Sequence, residues 1–246
     1  MDLAKSVKSD VKSRLSHIET WIFDLDNTLY SPSTCLFHQI DVRMKKFIAE
    51  ALSLDMDDAF KLQKTYYKKY GTTLKGLMIN DGIDPDAFLE YVHDIDHSVL
   101  KTDASLDNAL RHLPGRKFIH TNGAANHAHQ VVNRLGVSRH FDAIFDIRAS
   151  NYIPKPELES YLALVKRYGI NTHSAAMFED SLPNLTPAAR LGMLTVWVRP
   201  QDHTPQPESE LDHCSFITEN LTTWLNLVST QFDKNQSPRT SKLTDK

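Results

Sequence analysis

The sequence predicts an α/β protein: a doubly wound parallel sheet with an all-helical cap domain inserted after the first strand. Three observations carry this. Short apolar runs that stop at turn residues alternate with helical stripes from residue 102 onward, the rhythm of parallel strands joined by crossover helices. Residues 37–100 repeat their apolar positions at three and four and contain no convincing strand. The run Trp21-Ile22-Phe23-Asp24-Leu25-Asp26 reads as a strand buried on both faces, and such strands sit in the middle of parallel sheets. Together these describe a Rossmann-like core.

In chain order, Leu3, Val7, Val11 and Leu15 give residues 1–18 an amphipathic helical stripe leading into the first strand. Turn formers close that strand in Asn27 and Ser31-Pro32-Ser33. Phe37, Ile40, Met44, Phe47, Ile48 and Leu52 make one helical stripe; Phe60, Leu62, Tyr66, Tyr67 and Tyr70 make a looser one that Gly71 stops. Leu74 to Met78 is a brief helical piece before Asp81-Gly82, and Asp84-Pro85-Asp86 opens another helix with proline in its first turn. Strands follow at 116–120, 141–147, 175–178, 193–198 and 215–217, with helices closed by Gly136, Gly169 and Gly192 and a last helix near 221–227. The expected division is a catalytic core of residues 1–30 and 102–230, a helical cap of 31–101, and a polar, disordered tail of 231–246.

Composition excludes several classes. The 246 residues suffice for one large domain or one domain with an insertion. A net charge of −3 and a pI near 6.4 give no general attraction to nucleic acid or anionic membranes. Two distant cysteines, Cys35 and Cys214, do not make a disulfide framework and fit a reducing cytosol. The N-terminal stretch lacks the apolar segment of a secretory signal, and no window approaches a membrane span. A soluble cytoplasmic protein is expected, monomeric or a weak homodimer, with a small-molecule partner.

The strand ends carry the chemistry. Asp24 and Asp26 end the first, Thr121 and Asn122 the second, Glu179 and Asp180 the fourth, and Lys155 lies in the loop after the third. In a parallel sheet these ends share one edge, where ligands bind. An Asx-turn with a helix cap accounts for Asn27 and Thr28 but leaves Asp24 as an uncompensated charge in an apolar run. Carboxylates from two strand ends are hard oxygen ligands suited to Mg²⁺, and a hydroxyl, amides and one ammonium suit phosphoryl oxygens.

Asp24-Leu25-Asp26-Asn27-Thr28, Thr121-Asn122-Gly123, Lys155-Pro156 and Glu179-Asp180-Ser181, in this order, resemble the four signature motifs of the haloacid dehalogenase superfamily. The segments Tyr66 to Met78, Tyr91-Val92-His93-Asp94 and Asn151 to Pro156 are similar to its pyrimidine 5′-nucleotidase branch, and the likeness runs over roughly residues 20–200. The resemblance implies Asp24 as nucleophile, forming an aspartyl-phosphate, and Asp26 as acid and then base. It implies Mg²⁺ held by Asp24, the Asp26 backbone carbonyl and Asp180, with Glu179 an inner or outer partner, and phosphate bound by Thr121, Asn122 and Lys155. A phosphatase or phosphotransferase is favoured over a dehalogenase, because a halide leaves without a proton and needs no acid at position 26. The expected substrates are pyrimidine nucleoside monophosphates such as UMP and CMP. The alternatives are another small phosphate ester (a sugar phosphate, purine nucleotide or lysophospholipid) or a catalytically idle regulatory protein on the same scaffold.

Other features read more plainly. His127 and His129 are two apart on a helix and do not share a face, so solvent-facing histidines are expected rather than a metal cluster with His120. Cys35 reads as a packed or hinge thiol. The basic aromatic run 64–70 reads as a helix with one packed and one solvated face, and Lys75 as a cap residue reaching the substrate.

Overall fold

The computed structural model describes residues 14–200, 207 and 211–232. Six strands, β1 (Thr20–Phe23), β2 (Arg116–His120), β3 (Ala143–Phe145), β4 (Ala175–Glu179), β5 (Leu194–Val198) and β6 (Phe216–Thr218), form one sheet ordered β3-β2-β1-β4-β5-β6. Every pairing is parallel, with Phe23 opposite Ile119 on one side and Phe178 on the other. Strand order reverses between β1 and β4, the crevice where such sheets bind ligands.

Alternation along β1 separates two apolar layers. Trp21 and Phe23 face a cluster that includes Leu106, Leu110, Val131, Val132 and Leu225. These belong to helices α5 (Ala104–His112), α6 (Ala125–Leu135) and α9 (Leu221–Phe232). Ile22 faces Tyr161, Leu164, Leu185 and Ala188 on α7 (Leu158–Tyr168) and α8 (Leu182–Arg190). With both faces covered, β1 is apolar from Trp21 to Phe23, and the ring of Phe23 stacks on Phe178 at 4.7 Å. The expected N-terminal helix and polar tail lie largely outside the described residues, although Leu15 and Ile18 are buried. Among the described residues no helix is long and apolar enough to cross a membrane.

Between β1 and β2 run four helices, α1 (Leu36–Leu52), α2 (Met56–Tyr70), α3 (Thr73–Asp81) and α4 (Pro85–His93). Their boundaries follow from capping. Asp55 accepts from the amides of Asp57 and Asp58, Thr72 from Lys75 N, and Asp84 from Asp86 N; Gly71 and Gly82 end α2 and α3 at positive φ. A third cluster of Ile40, Ile48, Leu74, Leu77, Phe88, Leu89 and Val92 holds the four helices together and extends onto Ala124 and Ile147 of the core.

Helix α2 presents a different face from the one its aromatic stripe suggested. Ala59 and Gln63 are buried, while Phe60 and Tyr67 are exposed, and Lys64 lies 5.1 Å over the Phe60 ring. Residues 60 and 67 share a face, and lysine stems cover the Phe60 ring as an apolar neighbour would. Cys35 is likewise exposed rather than packed, at φ 58° just before α1.

Gly76 lets α3 approach α2 closely: a Cβ there would lie 2.5 Å from the Tyr66 Cβ. Gly76→Ala is therefore expected to destabilise the chain by about 1–3 kcal/mol in denaturant unfolding, as overpacking does. Gly82→Ala meets no atom within 4 Å and should show only the strain of its positive φ, about 1 kcal/mol.

Candidate active site

β1 delivers Asp24 to the sheet edge because its amide continues the ladder, donating to Phe178 O at 2.9 Å. The chain then turns sharply, Leu29 N reaching back to Leu25 O, with Asn27 at φ 62°, a conformation asparagine tolerates. That turn brings Asp26 to the same cavity as Asp24. β2 ends at Thr121, whose Oγ1 accepts from Gly123 N at 2.9 Å, leaving its own O–H available as a donor. β4 ends at Glu179, and Asp180 is anchored through its carbonyl, which accepts from Trp197 Nε1 at 2.8 Å.

Lys155 joins these ends. Its side chain is 1% exposed, and its Nζ donates to Asp24 Oδ1 at 2.7 Å and Glu179 Oε2 at 2.6 Å. Asn122 holds the backbone of the same residue from both sides: Lys155 N donates to Asn122 Oδ1 (2.8 Å), and Asn122 Nδ2 donates to Lys155 O (3.1 Å). The Asn122 side chain thus fixes the Lys155 backbone and uses one of its two N–H donors to do so. Glu179 is held as well, its other oxygen accepting from Ser181 N at 3.2 Å.

Electrostatics follow from this packing. Burial, then Glu179, raises the Asp24 carboxyl to about 7 despite Lys155. Burial, Glu179 and Asp24 push Asp180 well above the usual carboxylate range. For Lys155 burial acts downward, but the carboxylates of Asp24 and Glu179 outweigh it and raise its pKa. Asp26 goes the other way: burial pushes it up, but His127, Tyr30 and His93 hold it below the usual range.

Oxygen atoms of Asp24, Glu179 and Asp180 lie within 4.8 Å of one another. Three carboxylates against the single ammonium of Lys155 leave a local deficit of positive charge, and all the donors are hard oxygens. That donor set fits a divalent cation such as Mg²⁺.

Above the site lies a cavity of about 360 Å³ roofed by the helical insertion. Its floor includes Asp24, Asp26, Thr121, Asn122, Lys155, Glu179 and Asp180. Its roof is apolar at Phe37, Ile40, Met44, Phe88, Leu89 and Val92, and polar at Asp41, Gln63 and Lys64. Asp41 Oδ1 accepts from both Gln63 Nε2 and Lys64 Nζ at 2.7 Å.

Three expectations need correcting. Lys75 does not line the cavity; it forms an ion pair with Glu157 of the core, and Lys64 is the insertion's lysine at the cavity wall. His127 is fully buried rather than solvent-facing, with Nε2 2.8 Å from Asp26 Oδ1; His129 on the opposite face is exposed. His120 is buried as well and bonds Ser160 Oγ at 2.9 Å. His127 was readable as one of the apolar face formed with Ala128, Val131 and Leu135, three to four residues apart, whereas spacing carries no sign that Asp26 lies opposite it.

Removing one member of the buried Lys155 pair leaves unbalanced charge. Lys155→Met should lower unfolding stability by about 3–5 kcal/mol, and adding Glu179→Gln to it should recover part of that loss; chemical denaturation of both variants checks this.

A family model described as haloacid dehalogenase-like hydrolase matches residues 18–192. The chain is 31% identical over 193 residues to Phosphate metabolism protein 8 of Saccharomyces cerevisiae, covering 71% of this chain and 60% of the length of that relative. Solved structures of similar fold include a HAD phosphatase from Thermococcus onnurineus, with TM-score 0.57 and 17% identity over 86% of this chain and 98% of that one. The HAD-hydrolase YfnB of Bacillus subtilis, bound to magnesium, gives 0.56 and 15% over the same shares. An L-2-haloacid dehalogenase from Xanthobacter autotrophicus gives 0.53 and 16%, again over 86% and 98%. At these identities the solved structures speak to the fold alone.

Proposed function

The chain belongs to the haloacid dehalogenase-like hydrolases, and from that premise we propose that it is a Mg²⁺-dependent phosphomonoesterase acting on pyrimidine nucleoside 5′-monophosphates through an aspartyl-phosphate. The observation that carries the reading is the meeting of Asp24, Asp26, Thr121, Lys155 and Asp180 on the floor of one roofed cavity. Both phosphatases and dehalogenases share the fold. Asp26 favours the phosphatase, since an alkoxide leaving group needs a proton and a halide does not.

In this mechanism the Asp24 carboxylate, oriented by Lys155 Nζ, attacks phosphorus in line while Asp26 gives its proton to the departing ester oxygen. Asp26 then takes a proton from the water that cleaves the acyl phosphate. The Thr121 hydroxyl donates to a phosphoryl oxygen. Asp24, Asp180 and the Asp26 backbone carbonyl would hold the cation, which supplies charge neutralisation between carboxylate and phosphate. Glu179, held by Lys155 and Ser181, would be an inner or outer partner of the same cation.

The floor grips only the phosphoryl group, so selectivity falls to the roof. Apolar walls from Phe37, Met44 and Phe88 suit a flat base, and the Asp41, Gln63 and Lys64 group supplies acceptors and donors for its edge. The yeast relative's name, Phosphate metabolism protein 8, agrees with phosphate chemistry.

A panel of UMP, CMP, AMP, GMP, a sugar phosphate and a lysophosphatidate tests this. Pyrimidine nucleotides should exceed the others in kcat/KM by at least about tenfold, about 1.4 kcal/mol of transition-state discrimination. Chelator should abolish turnover, Mg²⁺ should restore it, and Asp24→Asn should be inactive. A flat profile across the panel would sink the nucleotide assignment while leaving the phosphatase standing.

A further inference from the structure

Asp26 is held by more than its own turn. Tyr30 Oη donates to Asp26 Oδ1 at 2.5 Å, and His127 Nε2 meets the same oxygen at 2.8 Å. Both contacts fall on Oδ1, which leaves Oδ2 as the oxygen for a leaving group in the cavity that Asp26 lines.

Behind His127 the bonding pattern has a direction. The Ile95 carbonyl can only accept, so His97 Nδ1, 3.2 Å away, carries the hydrogen and donates. His97 Nε2 is then a lone pair, and His127 Nδ1 donates to it at 2.9 Å. Burial and the neighbouring His127 lower the His97 pKa, in keeping with a neutral ring. His127 Nε2 is thereby the ring atom left for Asp26; with Nδ1 already donating, it donates to the Asp26 carboxylate as the imidazolium and accepts from a protonated Oδ1 as the neutral ring. The ring cannot swing away. His93 stacks on it with centroids 4.6 Å apart and planes 16° from parallel, and His93 is pinned through Nδ1 to Leu89 O at 2.9 Å.

We propose that His127 is a positioning residue for Asp26, holding Oδ1 so that Oδ2 faces the leaving oxygen, and that His97 holds His127 in turn. His97 lies in the segment leading from α4 back to the core, and His127 lies on α6. The hydrogen-bond chain therefore starts in the exit of the helical insertion and ends on the acid–base group.

The inference rests on the phosphomonoesterase reading, and the test separates the two. The full chain is assayed with UMP, whose alkoxide must be protonated as it leaves, and with p-nitrophenyl phosphate, whose phenolate departs unaided. The readout is kcat/KM, which reports the steps up to leaving-group departure. His127→Ala should lose about 100-fold on UMP, the low end of general-acid contributions, and less than about fivefold on p-nitrophenyl phosphate. His127→Gln, whose side-chain amide can donate or accept near the Nε2 position, should recover about tenfold of the UMP loss. His97→Phe should show the same split at smaller amplitude, and His97→Gln, which keeps an acceptor for His127, should reverse it. Equal losses on both esters, or no loss on either, overturn the proposal. If His127→Ala is unfolded by circular dichroism, the His127→Gln and His97 variants decide on the same criterion. A wild-type chain that hydrolyses neither ester takes down the phosphatase reading and this inference with it; an active wild type with unsplit variants takes down the inference alone.

Discussion

The ammonium of Lys155 is the interaction on which the site depends. It sits at 1% exposure between a carboxylate from the end of β1 and another from the end of β4, the two strands that flank the reversal in sheet order. Neither carboxylate could be kept charged there alone, because burial penalises the ionised form. The lysine arrives on a loop, and loops are poor at holding a charge to within a few tenths of an ångström. Asn122 resolves this by bonding the Lys155 backbone at both its N–H and its C=O. A side chain at the end of β2 thus fixes a residue of the β3–α7 connection, which in turn fixes residues of β1 and β4. One ammonium thus links groups carried by separate strand ends.

Two carboxyls two residues apart are given opposite environments. Asp24 lies in a dry niche beside other carboxylates, which raises it to about 7; Asp26 is ringed by the Tyr30 hydroxyl and histidines, which lower it. Positive charge brought beside Asp24 would lower its pKa, and negative charge brought beside Asp26 would raise it.

The parts legible in the sequence are those set by local pattern. The central strands β1, β4 and β5 announce themselves as mostly apolar runs ending at turns, because a sheet covered on both faces buries nearly every side chain there. The glycine stops at 71, 136 and 169 fall where helices end, each supplying the positive φ the terminus needs. What was illegible depends on partners remote in the chain. Asn122 and Thr121 are adjacent polar residues in one turn, yet Asn122 is tied through both its oxygen and its nitrogen to the backbone of Lys155, 33 residues on, and Thr121 is not. Lys64 and Lys75 both belong to helices of the insertion, and their separation into a cavity residue and an ion pair with Glu157 follows from the packing of α2 against α3. His127 and Asp26 are 101 residues apart, and no periodicity could join them.

The same loop that carries Lys155 also carries the polar ties to the helical insertion. Arg148 and Tyr152 both reach Asp86 at the start of α4, at 2.6 and 2.9 Å, and Glu157, two residues beyond Lys155, pairs with Lys75 of α3. Gly71, at the end of α2, leaves a gap so small that a Cβ would lie 3.3 Å from the Pro156 ring. The insertion is therefore fastened to the segment on which the charge balance of the site rests, and a displacement of its helices pulls first on the ends of that segment. Polar surface ties of this kind are individually weak, whereas the Lys155 contacts are buried and held by Asn122. The insertion is also held from beneath by buried contacts, through the apolar cluster that reaches Ala124 and Ile147 of the core and through His97, which meets His127 at 2.9 Å.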